Sequence, residues 1–145
     1  MPSPPATAVG ESQPADAPTA DVVELKLPAS PRYLRLARLT AAGMAGDLGF
    51  DMESLEDLRV AVDELCAAVI EGVEDSAILQ LQYQSLGRGI RIDGQIVAPG
   101  PRVELHPVAE ELLRMVADQY DLASTDGRRA FWVSKEPAAD KPDGP

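Results

Sequence analysis

The segment at 77–84, AILQLQYQ, alternates without a slip, with Leu79, Leu81 and Tyr83 on one side of an extended chain and Gln80, Gln82 and Gln84 on the other. Successive side chains leave a strand on opposite faces, so this is the pattern of a strand with one face on a core and one toward water. GIRID at 89–93 repeats it with Ile90 and Ile92 against Arg91, and SLGRG between the two runs is a glycine-rich turn, which makes the pair a hairpin. A sheet that is apolar on one face has to be covered by a second layer.

Helices supply that layer. Upstream, DVVELKL (21–27) sets Val23, Leu25 and Leu27 against Glu24 and Lys26, a further half-buried strand. In PASPRYLRLARLTAAG, Ser30 is the expected N-cap and Pro31 the first helical residue, since proline lacks the N–H that would be orphaned there. Leu34, Ala37, Ala41 and Met44 follow at helical spacing. The second helix lies in DMESLEDLRVAVDELCAAVIEG, with Ser54 and Asp57 resembling a capping box, Leu55, Leu58, Val62, Leu65 and Val69 as the core stripe and Gly72 as C-cap. A third helix, HPVAEELLRMVADQYDL, starts at His106 and turns Val108, Leu112 and Met115 inward, and DGRRAFWVSK is a final strand after a turn at Asp126-Gly127. The order βααββα(β)β predicts an α+β fold, a two-layer α/β sandwich with helices on one face of a mixed, mostly antiparallel sheet. The domain runs from 21 to 135. Residues 1–20 and 136–145, rich in Pro and Ala with little to bury, are expected to be disordered tails.

Aromatic residues are only 4% of the chain, so the core must be built from Leu, Val, Ile and Ala. A formal net charge of −11 argues against a nucleic-acid-binding surface, which needs clustered Lys and Arg, and suits a partner with a basic surface. The single cysteine, Cys66, cannot form an internal disulfide and falls on the inner side of its helix, where it acts as a small hydrophobe. With one histidine, His106, no metal-ligand spacing exists. No segment approaches the length of a membrane span and the first residues do not read as a secretory signal, so the expected location is the cytoplasm.

The residue that raises a chemical question is Glu64. On a helical wheel, Leu58, Val62, Leu65 and Val69 lie ~100–160° from it, whereas Val60, Ala61, Ala67 and Ala68 lie within ~60°. Its surroundings are short and apolar, a smooth wall against which a ligand, a loop or a partner could rest. Two readings stand: a carboxylate at a pocket edge able to orient water or take a proton, or an exposed glutamate on an alanine-rich helix, both residues being good helix formers.

LPASPRYLRLARLTAAGMAGDLGFDMESLEDLRVAVDELCAAVIEG resembles the first half of the bacterial anti-sigma factors of the switch-protein serine kinase type, members of the wider GHKL (histidine-kinase-like) ATPase group. The resemblance rests on a strand ending in Leu-Pro, a helix with Arg-Leu-Thr and a second helix LEDLRVAVDE, and covers about residues 21–72. It implies an α/β sandwich, with ATP and magnesium as ligands. In the family the second helix carries Glu-x-x-x-Asn, the Glu as general base and the Asn as magnesium ligand. Glu64 matches the first, and Ala68 stands at the second. Magnesium requires oxygen ligands in a near-octahedral array, and an alanine methyl offers none. The family's Asp-x-Gly-x-Gly is matched only by Asp93, the slot for adenine recognition, since Gln95 and Val97 replace its glycines. The Gly-Thr before the last strand is replaced by Gly127-Arg128. No cofactor is therefore assigned, and ATP binding is expected to be weak or lost.

The resemblance also implies protein partners: a sigma factor, an anti-anti-sigma antagonist and a second copy of the chain. Arg38, before Leu-Thr, matches a partner-contacting arginine of the family, and with Arg32 and Arg35 it recurs at three-residue spacing as a basic stripe. The same stripe is also what a solvated helix face looks like. Three functions are open at this point: a regulator that sequesters a sigma factor, an active serine kinase with Glu64 as base, and an adaptor without a sigma partner.

Overall fold

Five strands join in the order β1-β2-β3-β5-β4, and every neighbouring pair is antiparallel. The computed structural model describes residues 21–98, 102–125 and 127–138. Along the chain these form β1 (Val22–Pro28), a 3-10 turn (Pro31–Tyr33), α1 (Leu34–Asp47), α2 (Met52–Ile70), β2 (Ile78–Leu86), β3 (Gly89–Val97), α3 (Pro107–Val116), β4 (Gln119–Thr125) and β5 (Arg128–Lys135). The fold is the expected α+β sandwich. The sheet holds no parallel pair among the described strands, so "mixed" becomes wholly antiparallel.

The alternation in β2 and β3 sets the layers. Leu79, Leu81, Tyr83, Ile90, Ile92 and Ile96 are buried under the helices, joined by Phe131 and Val133 of β5. In the same strands Gln80, Gln82, Arg91, Asp93 and Gln95 point to the open face. Register is fixed by Leu86 opposite Gly89 across a two-residue turn, with Gly87 at φ 59°. From the helix side, Leu58, Val62, Leu65 and Val69 of α2 are fully buried, as the stripe predicts, with Cys66 among them. Burial pushes the Cys66 thiol up to about 12, with the Asp63 carboxylate adding to the rise. α1 buries Leu34, Ala37, Ala41 and Ala45. Tyr83 Oη donates to the Ala37 carbonyl at 2.9 Å, fastening sheet to helix.

Several local expectations are corrected. Ser30 and Pro31 open a 3-10 turn, Ser30 makes no side-chain cap, and the α-helix begins at Leu34. The N-cap of α2 is Asp51, whose carboxylate accepts from Ser54 N at 3.2 Å. Ser54 is buried, and its Oγ accepts from Ala138 N at 3.1 Å, so the Ser54/Asp57 pair is no capping box. Leu55 is only partly buried and Met44 packs at the core edge while Ala45 enters it.

In α3 the inward residues are Ala109, Leu113 and Val116, whereas Val108 and Met115 are each 73% exposed. The i, i+4, i+7 apolar pattern occurs twice in this helix, one residue apart, so periodicity alone does not choose between the faces. The segment QYDL, placed in the third helix by its sequence, begins β4 instead. Tyr120 and Leu122 there meet Val133 and Phe131 of β5, and pairing on that strand overrides helical periodicity. Of the two tails, residues 1–20 and 139–145 lie outside the described residues. Pro137 is buried beside the N-terminal end of α2, next to the bond from Ala138 to Ser54.

Candidate functional site

α2 runs down the middle of the helix layer, contacting α1 on one side and α3 on the other. Its core stripe is fixed by Leu58, Val62, Leu65 and Val69, which leaves Val60, Glu64, Ala67 and Ala68 toward the outside. Glu64, Val60 and Ala68 are half-buried and Ala67 is exposed. Val60, Ala67 and Ala68 of the expected wall around Glu64 are therefore at the surface, whereas Ala61, 1% exposed, belongs to the core. Ala68, one turn on from Glu64, brings a methyl group to it and no oxygen.

The charged neighbours of Glu64 are engaged elsewhere. Asp63 accepts from Arg38 Nη1 of α1 at 2.6 Å. Asp57, two turns back, lies 3.6 Å from Lys135 Nζ of β5, which also reaches Asp118 at 3.8 Å. Glu71, two turns on, sits 3.2 Å from His106 Nε2 at the start of α3. Among the described residues no group of three or more His, Cys, Asp or Glu side chains comes together that could hold a metal ion. The donor set at Glu64 does not fit a magnesium ion held as the resemblance implies.

Asp93 is not brought to Glu64. It lies in the middle of β3 on the open face of the sheet, across the sheet from the helices. Arg91 grips it with both arms, Nε to Oδ1 at 2.9 Å and Nη2 to Oδ2 at 3.0 Å. That carboxylate holds the guanidinium's pKa above its usual range. Arg91 in turn lies over the Trp132 ring, 4.5 Å from its centroid. Asp93 and Trp132 border a shallow groove of about 510 Å³ with Glu24, Lys26, Gln82 and Asp121. Glu64 is not among its lining residues, so the two candidate carboxylates serve different surfaces.

The three arginines are also separated. Arg32 belongs to the 3-10 turn and stacks over Tyr33 at 5.3 Å. Arg35 is exposed on α1. Arg38 leans across to α2 and Asp63, so the basic stripe narrows to Arg32 and Arg35.

Two residues missed in the sequence reading matter here. Asp63 carried no pattern that tied it to Arg38. Arg129 did carry a signal: it shares strand parity with Phe131 and Val133, which points it inward. It is 5% exposed, and its Nη1 donates to the carbonyls of Val69 at 3.0 Å and Glu71 at 2.7 Å. Its Nε is buried with no hydrogen-bond partner. A cation from the last strand thus closes the C-terminal end of the helix that carries Glu64, where the helix dipole favours positive charge.

No family model matches the chain. Serine-protein kinase RsbW of Oceanobacillus iheyensis is 37% identical over 95 residues, 63% of this chain and 58% of that protein. RsbW of Bacillus pumilus is 42% identical over 53 residues, 37% of this chain and 33% of the relative, and RsbW of Bacillus subtilis is 40% identical over 52 residues, 36% and 32%. The chain thus spans between about a third and three-fifths of the length of these curated relatives. Among solved structures, the RsbU and RsbW domains of Rv1364c from Mycobacterium tuberculosis match with a TM-score of 0.65 at 14% identity, over 83% of this chain and 33% of that one. At that identity the likeness is one of fold. No helix among the described residues is long and apolar enough to cross a membrane. Over part of its length the chain is thus similar in sequence to the serine-protein kinases named RsbW, and it shares its fold with the structure of the RsbU and RsbW domains of Rv1364c.

Proposed function

We propose that the chain is an anti-sigma-type regulator that works in the cytoplasm by binding a sigma factor, and releases it when an antagonist of the anti-anti-sigma kind competes for the same surface. Nucleotide binding at Glu64 is weak or lost. The observation that carries this reading is the pairing of Glu64 with Ala68: a carboxylate retained among short apolar side chains, with a methyl group one turn on and no metal-binding cluster among the described residues. Phosphoryl transfer depends on a metal clamp for the charge on the moving group, and Ala68 offers such a metal no ligand.

What such a molecule retains is surface. Arg32 and Arg35 are exposed on one side of the helix layer and are suited to paired contacts with partner carboxylates. Arg38 reaches a partner by exchanging Asp63 for an acid of the partner.

Titration calorimetry with Mg-ATP, alongside co-purification from the native cell, tests the proposal. The expected outcome is a co-purified sigma factor and no magnesium-dependent heat. Tight magnesium-dependent binding would overturn the degenerate-site reading. The relatives are named kinases, so the assay includes labelled ATP and the candidate antagonist. Phosphotransfer lost in Glu64→Gln would establish a kinase instead.

A further inference from the structure

α3 has two apolar faces and only one core to bury them in. Ala109, Leu113 and Val116 take the core. Val108, Leu112 and Met115 fall within ~60° of one another on the adjoining face. Val108 and Met115 are 73% exposed and Leu112 is half-buried. Spacing of i, i+4 and i+7 is how a helix presents anchors to another helix. The border of the stripe is acidic. Glu111 lies ~60° beyond Val108 on the side away from the core. The exposed Glu104 and Glu71 lie at the N-terminal end, while Glu110 is on the opposite side of the helix. The one guanidinium on the helix, Arg114, is shared between Glu110 at 3.7 Å and Glu111 at 3.4 Å.

We propose that this face of α3 is a docking site for a basic amphipathic helix of another protein, with Val108, Leu112 and Met115 as the apolar contact and the glutamates as the charged rim. Charge complementarity selects that occupant. A second copy, paired about a two-fold axis, would set this acidic border against itself, since an isologous contact places the same patch on both sides. An anionic lipid surface meets the same repulsion. Methionine adds adaptability, because its unbranched thioether reshapes to fit different partners. The site is on α3, remote in sequence from Arg32 and Arg35, and does not depend on what those residues bind.

The test uses a fluorescein-labelled synthetic helix of leucine and lysine with leucines at i, i+4 and i+7 spacing, and a leucine–glutamate peptide of the same pattern. Binding is followed by anisotropy at about 0.15 M salt, where long-range attraction is screened. The lysine peptide is expected to bind the full chain at least tenfold more tightly than the glutamate peptide. The double variant Val108→Ser, Met115→Ser keeps every charge and should weaken lysine-peptide binding about tenfold, in line with the loss of two apolar contacts. Leu39→Ser, an exposed leucine of α1, should change it less than about twofold. Equal binding of the two peptides, failure of the lysine peptide to bind, or unchanged affinity in the serine pair would overturn the proposal. So would sedimentation showing a dimer that the serine pair disperses, which would assign the face to a second copy. Both positions are exposed, so circular dichroism should show the variants folded like the parent.

Discussion

Arg129 Nη1 donates to the carbonyl oxygen of Glu71 at 2.7 Å, so the central helix is closed at its C-terminal end by a residue 58 positions further along the chain. Hydrogen bonds from a charged group contribute more than neutral ones, and the carbonyls of Val69 and Glu71 lose their guanidinium donor if it is removed. Arg129→Ala is expected to cost about 2–4 kcal/mol, combining those bonds with the cavity left behind. Lysine cannot reproduce the planar fork and should recover only part of this. Urea unfolding checks both, and a loss under about 1 kcal/mol for alanine would show that burying the unpaired Nε already cancels the gain.

Gly94 is held by the ring of Phe131. The two face each other across β3 and β5, and a Cβ at 94 would run into that ring. Gly94→Ala should therefore destabilise by about 1–3 kcal/mol through overpacking. Pairing it with Phe131→Leu should recover a measurable part of that loss in the same unfolding assay.

Asp51 caps α2, and the bonds from Ser54 pull its pKa from 3.8 down to about 2. Its folded-state value lies below its unfolded one. The stability it adds is present above the unfolded value and disappears as pH falls through the folded value. Asp51→Asn keeps a capping oxygen but does not titrate. The parent should exceed the variant in denaturation midpoint near about pH 6, and the two should converge near about pH 2.

Arg38 and Asp63 are both partly exposed, so their 2.6 Å pair is worth only about 0.5–1 kcal/mol in a double-mutant cycle. Its effect on binding should be larger and of two signs. On the proposed function, Arg38→Ala should weaken sigma-factor binding, while Asp63→Ala should release the arginine and strengthen it. Equal losses in both variants would instead mean that the pair acts only by fixing α1 against α2.

The alternation in β2 and β3 and the stripe of α2 were legible because each offers a single face to bury. α3 was not, since its apolar residues fit two faces and only tertiary contact decides between them. β4 was hidden by a helical pattern that continues into QYDL until pairing with β5 overrides it. At the site, Glu64 and its apolar surroundings could be read from helical spacing. What spacing did not show is that Asp93 is bound by Arg91; its place across the sheet from Glu64 was legible from strand parity. The parity of Ile90, Ile92 and Ile96 already sets Asp93 on the outer face.

The strand order carries a consequence for synthesis. β5 follows β3 and β4 in the chain yet is inserted between them, and it brings Phe131, Val133 and Arg129 with it. Until the ribosome has released it, β3 has one unpaired edge, β4 has no neighbour and α2 lacks its clasp. A chain stalled or cut before Arg128 should therefore behave as an incomplete intermediate, exposed to chaperones and proteases, and this domain should acquire its structure only once Lys135 has left the ribosome.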